Sequence, residues 1–395
     1  MNRIIFHIDV NSAFLSWSAI KLLKENPDSV DIRTIPSIIG GDQQTRHGIV
    51  VAKSLSAKKI YHIQTAEPVA SAMKKCPTLT IIPPDHQLYA KCSKQFIVFL
   101  KSLTPDIEQV SIDECFLDFT GIAHRYQSPE HCAEYIRNYI YENFGFTVNV
   151  GISSNKLLAK MASDFEKPNK THTLYPHEIQ KKMWPLPVSE LFMAGHATVS
   201  VLHKLDIHTI GDLATMDPKI LMLHLKSHGK LLWEYANGID NSPVESEPAQ
   251  AKGIGNSTTL AKDLTTSQEA YEVLRQLSYK VSKRLTAAHQ SANNLCVEIK
   301  YATFEKYTRQ MPLATSTQNG DILYRNSCQL FDALWNGNAI RLLGVRAGKL
   351  SDADEPVQLD LFNYHPEEDE KKKKLDKAMG KIRDKYGVGA IKKGI

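Results

Sequence analysis

The sequence lacks a zinc-type cysteine pair, an internal repeat and an apolar run long enough to cross a bilayer. Its six cysteines are scattered, which indicates reduced thiols and argues against disulfides and structural zinc. The apolar N-terminal stretch stops at Asp9 without a small-residue cleavage site, so it predicts a strand and not a signal peptide. We therefore expect a cytoplasmic protein with no membrane anchor. The cysteines are Cys76, Cys92, Cys115, Cys132, Cys296 and Cys328.

The composition that remains is typical of a globular protein of several domains. A chain of 395 residues, 42% hydrophobic and 23% charged, is too long for one compact core and suffices for roughly two to four domains. The net charge is +5, and residues 253–352 hold 12 Lys and Arg against 8 Asp and Glu. This basic excess suits a polyanionic partner, although solvated surfaces commonly show it too.

Hydrophobic periodicity predicts mixed strands and helices in the N-terminal half and a helical stretch after it. The order of elements predicts an α+β fold whose antiparallel sheet carries helices on one face. The predicted strands are 3–9, 48–52, 110–119 (bent near its middle) and 147–152, and the predicted helices are 12–24, 67–76, 86–103, 129–143 and 155–166, the last capped by Ser153 or Ser154. Further predictions are helices through 184–240, a polar, proline-bearing linker at 241–252, and mixed α/β structure at 253–350 with helix 267–289 and strand 295–302.

Three acids, Asp9, Asp113 and Glu114, carry the strongest chemical signal. Asp9 ends the first predicted strand, and the other two are adjacent in the stretch SIDE at 111–114. Neighbouring residues of a regular strand point to opposite faces, so both can reach one site only if the chain bends there. Carboxylates that meet repel each other by about 4 kcal/mol at ~4 Å and an effective dielectric of 20, and hard divalent cations such as Mg²⁺ relieve that repulsion. On the dipeptide alone, an ordinary turn or a capping acid explains the pattern as well.

The wider context resembles the Y-family translesion DNA polymerases, with the bacterial polymerase IV branch as the closest likeness. The motifs that carry this resemblance are FHIDVNSAF at 6–14, SIDE at 111–114, GISSNKLLAKMASD at 151–164 and KPN at 167–169, with further stretches at 252–255, 297–301 and 308–310. It therefore spans nearly the whole chain. The resemblance implies a template-directed, low-fidelity DNA polymerase without proofreading, which adds dNTPs to the primer of a primer-template DNA across two Mg²⁺ ions.

The resemblance also implies a multidomain α+β architecture. It predicts a palm with an antiparallel ferredoxin-like sheet at 1–11 and 81–174, small fingers at 12–80, a helical thumb with a helix-hairpin-helix at 175–240, the linker at 241–252, an α/β, DNA-binding little finger at 253–352 and a tail at 353–395. We expect a monomer that associates with the bacterial nucleoid when it is engaged on DNA.

Carried over position by position, the resemblance assigns roles to individual residues. Asp9, Asp113 and Glu114 would be the metal ligands, with the Val10 carbonyl as a further candidate. Phe14 would be the steric gate that excludes a ribose 2′-hydroxyl. The triphosphate would be bound by Lys58, which stands where an Arg is usual, and by Lys167.

Several positions depart from the family pattern. Asn11 stands where an acid is frequent, and Leu55 stands where an aromatic hydroxyl commonly contacts phosphate. In the thumb, residues 193–196 only partly match the Gly-x-Gly hairpin whose amides approach DNA phosphate. We therefore expect DNA contact at the second hairpin, at Ile210 and Gly211, with an ordinary helix connection as the alternative.

The tail contains a candidate docking peptide. Apolar residues in the stretch QLDLF at 358–362 have no evident core to join, and the stretch resembles the peptide by which bacterial polymerases bind the sliding clamp. Leu361 and Phe362 would fill a pocket while Gln358 sets the register. A strand that closes the little finger is the alternative. An amphipathic helix is predicted from Pro366 to Gly387.

Two other functions would use parts of this pattern. A nucleotidyl cyclase on a palm-like fold would use the same two metals but would need no thumb, linker or clamp peptide. A non-catalytic relative that binds DNA or the clamp would not need the three acids. The stretch DIE at 106–108 matches the start of a proofreading exonuclease motif, but no further acidic cluster accompanies it, so it is interpreted as loop polarity.

Overall fold

The computed structural model describes residues 3–41, 48–247, 250–354 and Ala378. These residues divide into two compact units, the first formed by 3–41 with 48–247 and the second beginning at 250. None of the helices in these ranges combines the length and the apolar character that crossing a bilayer requires.

The first unit contains strands β1 to β8 and helices α1 to α11 among its described residues. The strands are β1 (Ile5–Val10), β2 (Ser37–Gly40), β3 (Val50–Lys53), β4 (Thr80–Ile82), β5 (Ile107–Gln109), β6 (Glu114–Asp118), β7 (Val148–Ser153) and β8 (Thr171–Thr173). The helices are α1 (Ala13–Glu25), α2 (Leu55–Lys59), α3 (Val69–Lys75), α4 (His86–Leu103), α5 (Pro129–Phe144), α6 (Lys156–Ser163), α7 (Ile179–Lys182), α8 (His196–Lys204), α9 (Ile210–Thr215), α10 (Pro218–Leu225) and α11 (Ser227–Ala236). Short 3₁₀ helices span Thr120–Arg125, Pro176–Glu178 and Val188–Glu190.

A five-stranded central sheet in the order β5-β6-β1-β7-β8 organises the first unit. Its pairs are antiparallel except β7 with β8, which are parallel. Alternation along β1 sends Phe6, Ile8 and Val10 into a core with α4 and α5. His7 and Asp9 lie on the opposite face, and α6 packs there against β1 and β7. The prediction of helices on one face was therefore wrong, because α6 covers the second face.

The close approach of α6 to the sheet depends on Gly151 in β7. A Cβ at this position would collide with the backbone of Ala159 and Ser163 on α6. Only glycine leaves room for the helix here. The cap of α6 is Asn155, whose side chain accepts from the Leu158 amide at 2.9 Å, so the predicted serine caps were wrong.

A separate three-stranded sheet, in the order β3-β2-β4, packs with α2 and α3. Strand β2 pairs antiparallel with β3 and parallel with β4. Its Ile38 and Ile39 are fully buried on opposite faces, one toward the α2 and α3 side and the other toward α1. The sequence predicted only the strand at 48–52, because β2 and β4 are too short to show a period.

Helices α7 to α11 form a third core together with the apolar stripe of α6. Leu157 and Leu158 of α6 pack there with Leu202, Leu213 and Leu232. The predicted helical stretch 184–240 is confirmed. Residues 239–246, at the end of this stretch and beyond it, have no regular structure.

The second unit is a four-stranded antiparallel sheet covered by two helices. Its elements are β9 (Gly253–Leu264), α12 (Ser267–Ala287), β10 (Gln290–Tyr301), β11 (Lys306–Thr317), α13 (Gly320–Asp332) and β12 (Ile340–Asp352). The strand order is β11-β10-β12-β9. Apolar residues of α12 and α13 pack on one face of the sheet, where Leu295, Val297 and Ile299 of β10 are buried. The predicted strand 295–302 is thus the second half of β10.

Candidate active site

The three predicted acids lie at one corner of the central sheet, where β1 ends and β6 begins. Asp9 and Glu114 are register partners on these two neighbouring strands, so their side chains share a face. Asp113 lies just before β6, and its carbonyl accepts from the Val10 amide at 3.0 Å. The chain does bend here, because residues 110–113 form a turn between β5 and β6. That bend was predicted, although the first arm of the pair is 107–109 and not 110 onward.

The turn is built around the Asp113 carboxylate. The amides of Val110 and Ser111 both approach the Glu114 carbonyl, at 3.1 and 3.3 Å. The Ser111 hydroxyl donates to Asp113 Oδ1 at 2.6 Å. Burial raises the pKa of Asp113, and the charges of Asp9 and Glu114 raise it further. Asp9 and Glu114 are therefore close enough to affect the ionisation of Asp113.

Two lysines from the α6 side pair with acids of this corner. Lys160 on α6 donates to Glu114 Oε2 at 2.7 Å. Lys167, just beyond the helix, pairs with Asp9 and, at 2.8 Å, with Asp164. Burial alone would lower the pKa of Lys167, but the carboxylates of Asp9 and Asp164 outweigh it and raise the pKa. Lys160 lies in the stretch 151–164, and the family resemblance assigns no role to this position.

His7 lies beneath Glu114 on the same sheet face and was missed by sequence reasoning. It is fully buried, and its Nδ1 lies 2.7 Å from the Ser163 hydroxyl of α6. Its Nε2 lies 3.4 Å from Glu114 Oε2. Burial lowers the pKa of His7, while its contact and that of Lys160 lower the pKa of Glu114 to about 2. The period of two along β1, which places His7 beside Asp9, is the signal that could have found it.

The side-chain oxygens at this corner are held by protein partners. Among the described residues, no three Asp, Glu, His or Cys side chains are arranged to hold one metal ion. Lys160 pairs with Glu114, Lys167 pairs with Asp9, and the Ser111 hydroxyl donates to Asp113. The backbone nevertheless places all three acids together. Their donor set, carboxylate oxygens only, is the one that hard divalent cations prefer.

Phe14 lies on the first turn of α1, a few residues after Asp9. Its ring stacks on Tyr89 of α4, with centroids 4.4 Å apart and planes 9° from parallel. Tyr89 is fully buried, and its hydroxyl lies 3.0 Å from the Ser18 hydroxyl. Phe14 itself is half-buried. A rigid aromatic support therefore fixes the orientation of a ring whose outer part remains accessible.

Asn11, which replaces the acid frequent in the family, connects three segments. Its Oδ1 accepts from the Thr147 hydroxyl and from the Asn169 amide, both at 2.9 Å. Its Nδ2 donates to Asn149 at 3.2 Å. The amide side chain therefore ties the end of β1 to β7 and to the loop that carries Lys167.

Lys58 is exposed on α2, within the small-sheet region. Its charge, after burial, lowers the pKa of neighbouring Lys53. Among the ion pairs of the described residues, those of Asp9 and Glu114 are with Lys167 and Lys160 and not with Lys58. Leu55, at the start of the same helix, is 49% exposed and offers no hydroxyl.

The amides of Ile210 and Gly211 are already used inside the first unit. Ile210 donates to the Leu186 carbonyl and Gly211 to the Trp184 carbonyl, both at 3.0 Å. Ile210 is also fully buried. A DNA contact at this hairpin would therefore involve groups other than these two amides. By contrast, α8 begins after Gly195 with no side-chain cap. The clamp-type peptide, with Gln358, Leu361 and Phe362, and most of the predicted helix 366–387 lie outside the described residues.

Comparison with known proteins decides the family. Residues 8–164 match the model of the impB/mucB/samB family, and residues 251–361 match the model of its C-terminal domain. The DNA polymerase IV of Clostridium acetobutylicum is 45% identical over 397 residues, which cover 100% of this chain and 98% of that protein. This chain belongs to the Y-family translesion DNA polymerases, in the DNA polymerase IV branch.

Two further comparisons place this Y-family polymerase. The DNA polymerase IV 1 of Bacillus subtilis is 35% identical over 395 residues, covering 100% of this chain and 93% of that protein. The solved structure of a Y-family DNA polymerase chimera matches with a TM-score of 0.76 at 21% identity, covering 88% of this chain and 99% of the chimera. This likeness shows the fold, so the polymerase has the multidomain α+β architecture of palm, small fingers, helical thumb and α/β little finger.

Proposed function

We propose that this Y-family polymerase extends a DNA primer by two-metal nucleotidyl transfer from dNTPs, with Asp9, Asp113 and Glu114 as metal ligands. As a member of its family the chain is a DNA-directed DNA polymerase of the translesion type. The two ions, the lack of proofreading and the residue roles are the proposal. The meeting of three acids from two strands and a turn, next to two lysines, is the observation that supports it most.

The charge balance of the corner favours bound cations. Burial and the neighbouring carboxylates raise the pKa of Asp113, and ammonium groups already pair with Asp9 and Glu114. The side chains of Asp9 and Glu114 would turn from the lysines to hold Mg²⁺, with the Val10 carbonyl as a further ligand. When bound, two such ions would activate the primer 3′-hydroxyl and stabilise the leaving pyrophosphate.

The residues around the acids suit the incoming nucleotide. Lys167 is free to exchange its carboxylate partners for triphosphate oxygens once cations occupy Asp9, and Lys58 would reach the triphosphate from the fingers as a second point charge. Phe14, supported by Tyr89, would occupy the space of a ribose 2′-hydroxyl. Asn11 would act indirectly, because it holds the loop that carries Lys167.

Replacing Lys167 with methionine should raise the KM for dNTP about tenfold or more while primer-template affinity stays near wild type. A charged hydrogen bond to phosphate contributes roughly 1.5–3 kcal/mol, and about 1.4 kcal/mol corresponds to a factor of ten. Steady-state primer extension at varied dNTP measures this. Lys170→Met is the matched control, because Lys170 is more exposed than Lys167 and its ion pair with Glu166 is long, at 3.9 Å. Equal KM values in the two variants would contradict the role of Lys167.

Several features support the absence of proofreading and the use of DNA. Glu108, in the exonuclease-like stretch, is held by both oxygens on Lys156 at 2.7 Å, so it is engaged in structure. We propose the thumb and little finger at 175–240 and 253–352 as the DNA-binding parts, with DNA contact at the second thumb hairpin, at Ile210 and Gly211, and also at the first, near Gly195. The start of α8, which has no side-chain cap, supports a contact near Gly195.

We also propose that the polymerase is a cytoplasmic monomer.

Residues 358–362 are proposed to bind the sliding clamp. Two apolar anchors, Leu361 and Phe362, with Gln358 for register, should give affinity on the order of micromolar after ordering losses. Fluorescence anisotropy of the labelled full chain against a bacterial clamp should show binding that the double variant Leu361→Ala, Phe362→Ala loses. Leu359→Ala is the control and should keep it. Equal affinity for all three proteins would exclude this peptide as the docking segment.

A primer-extension assay tests the proposed function against its rivals. The polymerase should extend a primed template with dNTPs only when a divalent metal is present, and it should leave mispaired 3′ ends undigested. A cyclase would convert ATP without any template, and a non-catalytic relative would bind primed DNA without extending it. Either of these results would replace the proposal.

A further inference from the structure

A groove lies along one side of the turn that carries Asp113. The groove, of about 430 Å³, lies between α4 and the turn 110–113. Val110, at the start of the turn, is 50% exposed. Ile112, the turn residue that lines the groove, packs against the core but is only partly buried. The groove is lined by Ala90, Ser93, Lys94, Ile97, Val98, Lys101, Gln109 and Ile112.

Gln109, the last residue of β5, bridges this groove. Its Nε2 donates to the Ser111 carbonyl at 2.9 Å, within the turn. The same nitrogen donates to the hydroxyl of Ser93 on α4 at 3.2 Å, and Ser93 is almost fully buried. One side-chain amide thus connects the turn to helix α4.

The other supports of the turn are hydrogen bonds with β1 and β6 and within the turn itself. The amides of Val110 and Ser111 point to the Glu114 carbonyl, and the Asp113 carbonyl accepts from Val10 on β1. Within the turn, the Ser111 hydroxyl donates to Asp113 Oδ1 at 2.6 Å. The position of Ser111 therefore sets the orientation of the Asp113 carboxylate, and Gln109 sets the position of Ser111 from the groove side.

We infer that Gln109 is a positioning residue for catalysis, which holds the Ser111–Asp113 turn in place through its bridge to Ser93. This inference rests on the proposed metal site, because its effect on the reaction passes through the Asp113 carboxylate. Gln109 does not touch the reacting atoms. Its loss leaves the fold intact but lets the turn move over the groove.

Two measurements on the full chain test this role. In the metal-free protein, hydrogen exchange of the peptide covering 109–114 should be faster in Gln109→Leu than in wild type. Binding of Mn²⁺, followed by electron paramagnetic resonance with primed DNA present, should be about fivefold weaker in the same variant, as expected for one neutral hydrogen-bonded bridge. Gln109→Glu, which keeps the size but cannot donate, should behave like Gln109→Leu. Gln95→Leu, at an exposed glutamine of α4, should behave like wild type.

A second variant separates positioning from general stability. Ser93→Ala removes the α4 end of the bridge, so its effect on Mn²⁺ affinity should not add to that of Gln109→Leu. Additive effects, or unchanged exchange and unchanged Mn²⁺ affinity in Gln109→Leu, would overturn the inference. Asp113→Asn distinguishes the two levels: if it weakens Mn²⁺ binding while Gln109→Leu does not, only the positioning role fails. If Asp113→Asn leaves Mn²⁺ binding unchanged, the proposed metal site itself is wrong.

Discussion

Replacing Asp113 with alanine should slow primer extension by at least about a thousandfold, which corresponds to about 4 kcal/mol of transition-state stabilisation. The residue is the only one of the three acids in the turn, and both neighbouring acids depend on it to complete an oxygen-only ligand set. Asp164, a further carboxylate near this corner, is already paired with Lys167 at 2.8 Å and with Lys160 at 3.7 Å. Single-turnover extension of a primed template with saturating dNTP and Mg²⁺ measures the loss.

Binding measurements separate this chemical defect from damage to the fold. Asp113→Ala should keep its affinity for primed DNA, because the fold of the sheet rests on the buried apolar core and not on this half-buried corner. Asp106→Ala is the matched control, because Asp106 is an exposed acid directly before β5. Extension near the wild-type rate in Asp113→Ala, or equal losses in both variants, would contradict the metal assignment.

Replacing Phe14 with alanine should admit ribonucleotides, with the preference for dNTP over rNTP falling on the order of a hundredfold. The Phe14 ring stacks on Tyr89, whose hydroxyl contacts the Ser18 hydroxyl. We therefore expect that the Phe14 ring cannot rotate away to make room for a ribose 2′-hydroxyl. Truncation removes the obstacle itself. Competing extension with one dNTP and its matching rNTP, at several concentrations, gives the ratio of kcat/KM values.

The support behind Phe14 supplies the control for that experiment. Tyr89→Phe keeps the stacked ring and removes only the hydroxyl that faces Ser18, so sugar selection should change little. Tyr89→Ala should relax selection part of the way, because Phe14 would lose its backing. Unchanged discrimination in Phe14→Ala would show that another group reads the sugar.

The local features of the catalytic corner could be predicted because they are written in neighbouring residues. Alternation along 3–9 placed Asp9 at a strand end, and the adjacency of Asp113 and Glu114 required a bend that the structure has. Helix 86–103 matched α4 to the residue. Helix 155–166 was predicted too long at both ends, since α6 spans Lys156–Ser163, and its Lys160 faces the acids.

What could not be predicted depends on contacts distant in the chain. His7 meets Ser163 of α6, and Gln109 meets Ser93 of α4, and neither pair has a local signature. The amides of Ile210 and Gly211 appeared free in a hairpin pattern, yet Leu186 and Trp184 carbonyls take them.

The linker shows the same limit on a larger scale. Composition marks 241–252 as polar and irregular, but Val244 packs on Ile5 and Phe116, and the Glu245 amide donates to Glu108 at 2.9 Å. The first half of the linker is therefore fixed to the first unit. Short strands such as β2 and β8 escaped prediction because three or four residues cannot establish a period.

The most direct test is the number of metal ions that the three acids hold. Electron paramagnetic resonance titration with Mn²⁺ should find two ions bound per protein in the presence of primed DNA and a non-hydrolysable dNTP. The triple variant Asp9→Asn, Asp113→Asn, Glu114→Gln, with DNA affinity retained, should bind neither ion tightly. Two ions bound with equal affinity by the variant and the wild type would contradict the account.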